Sequence, residues 1–280
     1  MIEALQYEFF RNAIIAGILV SIAGGIIGSL VVVNRIVFVA GGIAHAAYGG
    51  VGMGLFFGFN PVFGALGFSL GSALLMGAVQ RNRQLRRDTA IGMLWAIGMA
   101  IGVILTDLTP GYKAELESYL FGSILAVPTS NLWIMLGIDL IILLLVYLFY
   151  KELLAISFDE TFATVRNIPV NQIYLLLMGM IALAVAMMMQ VVGLILVIAL
   201  LAMPAAVTSQ FVKDLKVMMG LGIFLSLLFV IVGLGLSYTL NLTSGATIIL
   251  VSAIGYLITL ILKAILKWGK TNPRMNQEEA

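Results

Sequence analysis

Residues 131–149 read NLWIMLGIDLIILLLVYLF. Nineteen residues carry a single charge, on Asp139, and no proline. A helix of about 20 predominantly apolar residues crosses a hydrocarbon core about 30 Å thick. This stretch therefore reads as a membrane span, not as the core helix of a soluble domain. The rest of the chain follows it. Of 280 residues, 62% are hydrophobic and 10% are charged, where soluble domains carry roughly 25% charged residues. A water-soluble fold of this length has no interior large enough to hide so much apolar surface.

Reading outward from 131–149 gives nine candidate spans. They are Asn12–Val33, Val37–Phe59, Pro61–Val79, Ala90–Thr106, Leu132–Tyr150, Ile173–Met189, Val191–Met203 with an extension, Val217–Leu240 and Gly245–Leu266. Only Gln190 joins the sixth and seventh, which read as a hairpin; eight spans result if that pair is miscounted. Tyr119–Val127 is too short to cross and reads as an external re-entrant helix. The expected fold is an all-α polytopic membrane protein of one domain, residues 1–280. Residues 10–266 are embedded and 267–280 form a polar tail. The first apolar stretch lacks the basic flank of a cleavable signal.

Basic residues orient membrane proteins, because cytoplasmic loops retain Lys and Arg. With RNRQLRRD (81–88) placed in the cytoplasm, nine spans leave 13 basic residues inside and two, Arg11 and Lys113, outside. This expects the N-terminus outside and the C-terminus inside a prokaryotic plasma membrane.

Few side chains here can do chemistry. His45, the only histidine, lies in VFVAGGIAHAAYGG (37–50). Nine residues of helix put it about 13 Å into the bilayer, near the midplane. It borders Gly42, Ala46, Gly50, Gly54 and Gly58, small residues four apart that let another helix approach closely. It reads either as a metal ligand or gate, or as a histidine bonded across a helix interface. Asp139 lies at a comparable depth from the other side, and reads as a second ligand or as a carboxyl bonded to a neighbouring hydroxyl or carbonyl. The thioethers of MMMQ (187–190) suit a soft ion, but packing is the simpler reading. GKT (269–271) is not a phosphate loop, because Ala264 stands where such a loop needs glycine. Any ATP is bound by another chain. Without cysteine, thiolate sites and disulfides are excluded.

The loop KELLAISFDETFATVRNIPVNQ (151–172) has helix punctuation, with Asp159 and Glu160 at the start and Asn167 and Pro169 at the end. It reads as a short helix on the cytoplasmic face that docks a partner.

Together these blocks resemble one family, the membrane permeases of ABC importers for zinc, manganese or iron. The resemblance covers residues 10–262. It rests on NRIVFVAGGIAHAAYGGVG (34–52), DTAIGMLWAIGMAIGVIL (88–105), SYLFGSILAV (118–127), SFDETFATVRNIPV (157–170), VGLILVIALLAMPAAVTSQF (192–211) and SGATIILV (244–251). It implies a homodimeric transport subunit that is not itself an enzyme. The implied partners are a cytoplasmic ATP-binding subunit and an extracytoplasmic metal-binding protein, with no nucleic acid. The cargo is a divalent metal ion, zinc before manganese or iron, and no resident cofactor is implied. It also implies ATPase coupling through Asp159, Glu160, Phe162 and Ala163, and a metal path past His45. The chain departs from the family's D-x-x-S-H-A pattern, with Gly41 and Ala44 at the Asp and Ser positions. Asn241 and Thr243 likewise stand where Asp and Pro are common. His45 then acts alone with its dimer mate, with Asp139, or through weak transient contacts. The alternative class is a secondary, proton-coupled metal transporter without an ATPase.

Overall fold

A computed structural model describes residues 6–81, 87–110, 122 and 124–271. Among these, the elements are helices and one 3-10 turn. α1 (Glu8–Val33), α2 (Val37–Phe57), α3 (Pro61–Arg81) and α4 (Arg87–Asp107) precede the turn Ile124–Ala126. α5 (Thr129–Leu148), α6 (Tyr150–Phe158), α7 (Glu160–Val165), α8 (Val170–Thr208), α9 (Leu215–Leu240) and α10 (Ser244–Thr271) follow it. Of the expected external helix Tyr119–Val127, residues 119–121 and 123 lie outside the described residues, and the described part holds the 3-10 turn Ile124–Ala126; 82–86 of the basic cluster and 272–280 of the tail also lie outside.

Eight of these helices are long and apolar enough to cross a bilayer. One, α8, accounts for two of the nine expected spans. Its 39 residues are interrupted at Gly193, where φ is 76° and ψ 165°. A straight helix of that length would run almost 60 Å. The two arms instead lie side by side. A methyl placed on Gly24 of α1 would sit 3.6 Å from Met188 Cε and 3.4 Å from the Leu200 carbonyl oxygen. Twelve residues of continuous helix would hold those two about 18 Å apart. The chain doubles back at Gly193, where an L side chain would be strained, and both ends of α8 reach the same face.

That face is the basic one. Lys216 Nζ sits 4.8 Å over the Tyr150 ring, and the Arg81 guanidinium 5.4 Å over the Tyr174 ring. Arg35, Arg166, Lys151 and Lys213 lie in the turns and helix ends there, while Arg11 lies at the opposite end of α1. α10 runs antiparallel to α9, with Ile248 against Gly233 and Phe229 against Gly255. Counted with both arms of α8, the described helices run nine times between the two faces, where eight helices meet the length and hydropathy of a span.

α1 and α8 are the centre of the bundle and are buried along most of their length, whereas α4 and α10 present mainly exposed apolar side chains.

Candidate functional site

Glycine shapes the surroundings of His45. Along α2, Gly42 rests on Ile91 and Met76, Gly50 on the Gly64 backbone, and Gly54 within 2.6 Å of Pro61 Cα as measured from an added Cβ. Ala46 is buried and abuts Gly98. Of the five small residues four apart, Gly50 and Gly54 meet the backbone of α3, Ala46 meets Gly98 on α4, and Gly42 lies between side chains of both. Gly58 is the correction: it lies past the helix end, with φ 76°, and an added Cβ there meets nothing within 4 Å. It terminates α2 as a left-handed cap and packs nothing. A second seam was not expected, Gly49 and Gly52 against the carbonyls of Gly98 and Gly102 on α4. The two seams bring α3 and α4 close to α2 on either side.

His45 is half-buried beside the second seam. Its Nδ1 lies 2.8 Å from the Gly41 carbonyl oxygen, and its ring lies 4.0 Å from the Trp95 ring, tilted by 34°. A carbonyl only accepts, so in the neutral ring Nδ1 carries the proton and Nε2 keeps its lone pair. That is the tautomer a metal ligand needs, with orientation fixed by a backbone acceptor and an aromatic wall. A side chain at position 41 would project toward Ile198, and glycine there leaves His45 without a carboxylate neighbour on its own helix.

Asp139 is 2% exposed, and neither carboxyl oxygen has a hydrogen-bond partner. It sits on α5, which packs on α1 and α8; α2 packs on α3, α4 and α8. The two helices share no packing interface, so one protomer does not join Asp139 to His45. Among the described residues no group of three or more His, Asp or Glu converges on a metal position. Met187, Met188 and Met189 are buried in the core, as the packing reading expected.

The 151–172 loop forms α6 and α7 on the basic face. Asp159 caps α7, its Oδ1 accepting from the Thr161 and Phe162 amides at 2.8 and 3.0 Å. Asn167, at φ 57°, follows the helix end. Ala163 is fully buried, which seats α7 on the bundle. Phe158, Phe162 and Val165 are 63%, 52% and 77% exposed, an apolar ridge on a polar face. Glu160 pairs with Arg81 at 3.4 Å.

The family model of the ABC 3 transport family matches residues 6–263. The chain belongs to the ABC 3 transport family. An uncharacterised membrane protein of Synechocystis is 59% identical over 260 residues, covering 93% of this chain and 92% of that one. The manganese transport system membrane protein MntC of Listeria monocytogenes is 35% identical over 257 residues, covering 92% and 91%. Among solved structures, PsaBC from Streptococcus pneumoniae in complex with Fab matches with a TM-score of 0.84 at 34% identity, covering 92% of this chain and 93% of that one. This ABC 3 family member is thus similar to those proteins over almost its whole length, the α8 hairpin and α6–α7 included.

Proposed function

We propose that this chain is the permease subunit of an ABC importer for a divalent transition metal. It works as a homodimer in a prokaryotic plasma membrane, with a separate ATPase on the basic, cytoplasmic face and a metal-binding protein on the other. The observation that carries the reading is the capped helix α7, seated by Ala163, which presents Phe158, Phe162 and Val165 to the cytoplasmic side. An exposed apolar ridge at the end of a bundle is what a docking partner covers. The secondary-transporter reading leaves that ridge without a role.

Full-length similarity to proteins named for manganese transport, MntC and the ScaB permease of Streptococcus gordonii, supports manganese ahead of the zinc first expected. His45, at the α2–α4 seam, is the ligand or gate on the path. It holds the ion weakly, because a conducting site must release what it binds.

The test is uptake of manganous and zinc ions by proteoliposomes carrying permease, ATPase and binding protein. Manganese uptake that needs ATP, and that falls at least about ten-fold in His45→Ala with ATPase activity intact, is expected. ATP-independent uptake driven by a pH gradient would refute the proposal in favour of a secondary transporter.

A further inference from the structure

The docking helix needs a way to move the helices that enclose the metal path, and the basic face contains a built connection for it. Asn34 is the C-cap of α1. Its Nδ2 donates to the Leu30 carbonyl at 2.8 Å and to Ser157 Oγ at 2.8 Å, and Ser157 Oγ donates in turn to the Leu153 carbonyl at 2.7 Å. Both amide protons of Asn34 and the single hydroxyl proton of Ser157 are used. The chain of bonds therefore has one direction and ties the end of α1 to α6. The residues are half-buried and 123 positions apart in sequence.

The two ends of this bond occupy mechanical junctions. Ser157 is two residues before Asp159, which caps the docking helix. Asn34 opens the turn from α1 into α2. That turn is tight: Arg35 is left-handed at φ 57°, its amide donates to the Val32 carbonyl, and the Ile36 amide donates to the Val31 carbonyl. Ile36 is buried, and α2 begins at the next residue. A displacement of α6 thus reaches α1 and α2 together, and α2 carries His45. Among the described residues a second polar tie, Glu160 to Arg81, is exposed at 56% and 28%, and an exposed pair is weak and screened; Lys216 over the Tyr150 ring joins α6 to α9 rather than to the α1–α2 turn.

We propose that the Asn34–Ser157 hydrogen bond transmits movement of the ATPase-docking segment to the α1–α2 pair, so that it sets how much metal moves per ATP hydrolysed. This rests on the permease reading above. Asn34 and Ser157 are positioning residues that act through α2, and neither touches the ion.

The chain has no cysteine, which allows a reversible test in the assembled complex. Wild type, Ser157→Ala and the pair Asn34→Cys with Ser157→Cys are reconstituted with ATPase and binding protein. Manganous ion transported per ATP hydrolysed is measured alongside assembly. Ser157→Ala is expected to assemble and hydrolyse ATP while its transport-to-hydrolysis ratio falls roughly ten-fold, within the usual range of a coupling free energy. The cysteine pair is expected to be uncoupled when reduced and recoupled when a short bis-methanethiosulfonate linker spans it. A wild-type ratio in Ser157→Ala, or equal ratios in the linked and reduced pair, would overturn the inference. Wild-type complex that hydrolyses ATP without moving manganese or zinc would instead refute the permease reading.

Discussion

Gly98→Ala puts a methyl into the seam between α4 and α2, and its cost follows from distances already in the structure. The new Cβ falls 2.7 Å from Ala46 Cα, 3.0 Å from Ala46 Cβ and 3.1 Å from the Ala46 carbonyl oxygen, where ordinary contact begins at 3.4 Å. None of these atoms belongs to a flexible side chain that can swing aside. The helices must part by about 0.7 Å, and that separation loosens the facing contacts of Gly49 and Gly52. Overpacking of this kind costs about 1–3 kcal/mol, against a gain in helix propensity of at most about 1 kcal/mol. After that full offset the net expectation is a loss of up to about 2 kcal/mol. Gly220→Ala on α9 is the control, since nothing lies within 4 Å of its added methyl; it should be neutral or slightly stabilising. Thermal or denaturant unfolding of the purified permease in nanodiscs measures both. Trp95 fluorescence adds a local signal, because Trp95 is one turn from Gly98 and stacks on His45 at 4.0 Å. Equal stability of the two variants, with an unchanged Trp95 signal, would refute the close-packed seam.

Three further outcomes are expected. Asp139→Asn keeps the shape of a buried side chain that has no hydrogen-bond partner, so unfolding resistance should hold or rise and uptake should persist; lost uptake with intact assembly would put Asp139 on the metal path. Asp159→Ala removes the cap of α7, worth about 1 kcal/mol, and should weaken ATPase association in a pull-down titration while leaving dimer formation intact. Tyr150, just beyond the end of α5, is held above the ordinary tyrosine value of 10.0, first by burial and then by the Asp214 carboxylate. Its neutral form is thereby favoured. The ultraviolet titration difference between wild type and Tyr150→Phe should therefore show a late-ionising phenol, and that phenol should ionise at lower pH in Asp214→Asn.

Much of the fold was legible because bilayer physics leaves few solutions. Apolar run length gave the spans to within a few residues, and the asymmetry of Lys and Arg matched the face on which the described ones lie. The sixth and seventh spans were expected to separate at Gln190, and the reversal is three residues later, at Gly193. Hydropathy cannot locate a turn made by one residue when glycine is common throughout the chain. The same abundance explains Gly58: spacing of four describes a packing stripe, but a helix end decides whether the last member packs or caps. The Gly49–Gly52 seam was hidden because its spacing of three overlaps the more regular stripe. At the site, His45 and the α7 boundaries followed from composition and punctuation. Its Trp95 wall and the Asn34–Ser157 bond did not, since both join residues distant in sequence and leave no local pattern.

In the proposed topology the reversal at Gly193 adds a crossing and so makes their number odd, which constrains how such a subunit can be joined covalently to its neighbours. α10 ends on the face that carries α6 and α7. In the proposed importer, a polypeptide linker running from that end to the ATPase would stay in one compartment, and a permease–ATPase fusion in that order is topologically open. A fusion through the start of α1 would have to thread a folded domain, or an additional helix, through the membrane. Conversely, the start of α1 suits a tether to a protein on the opposite face.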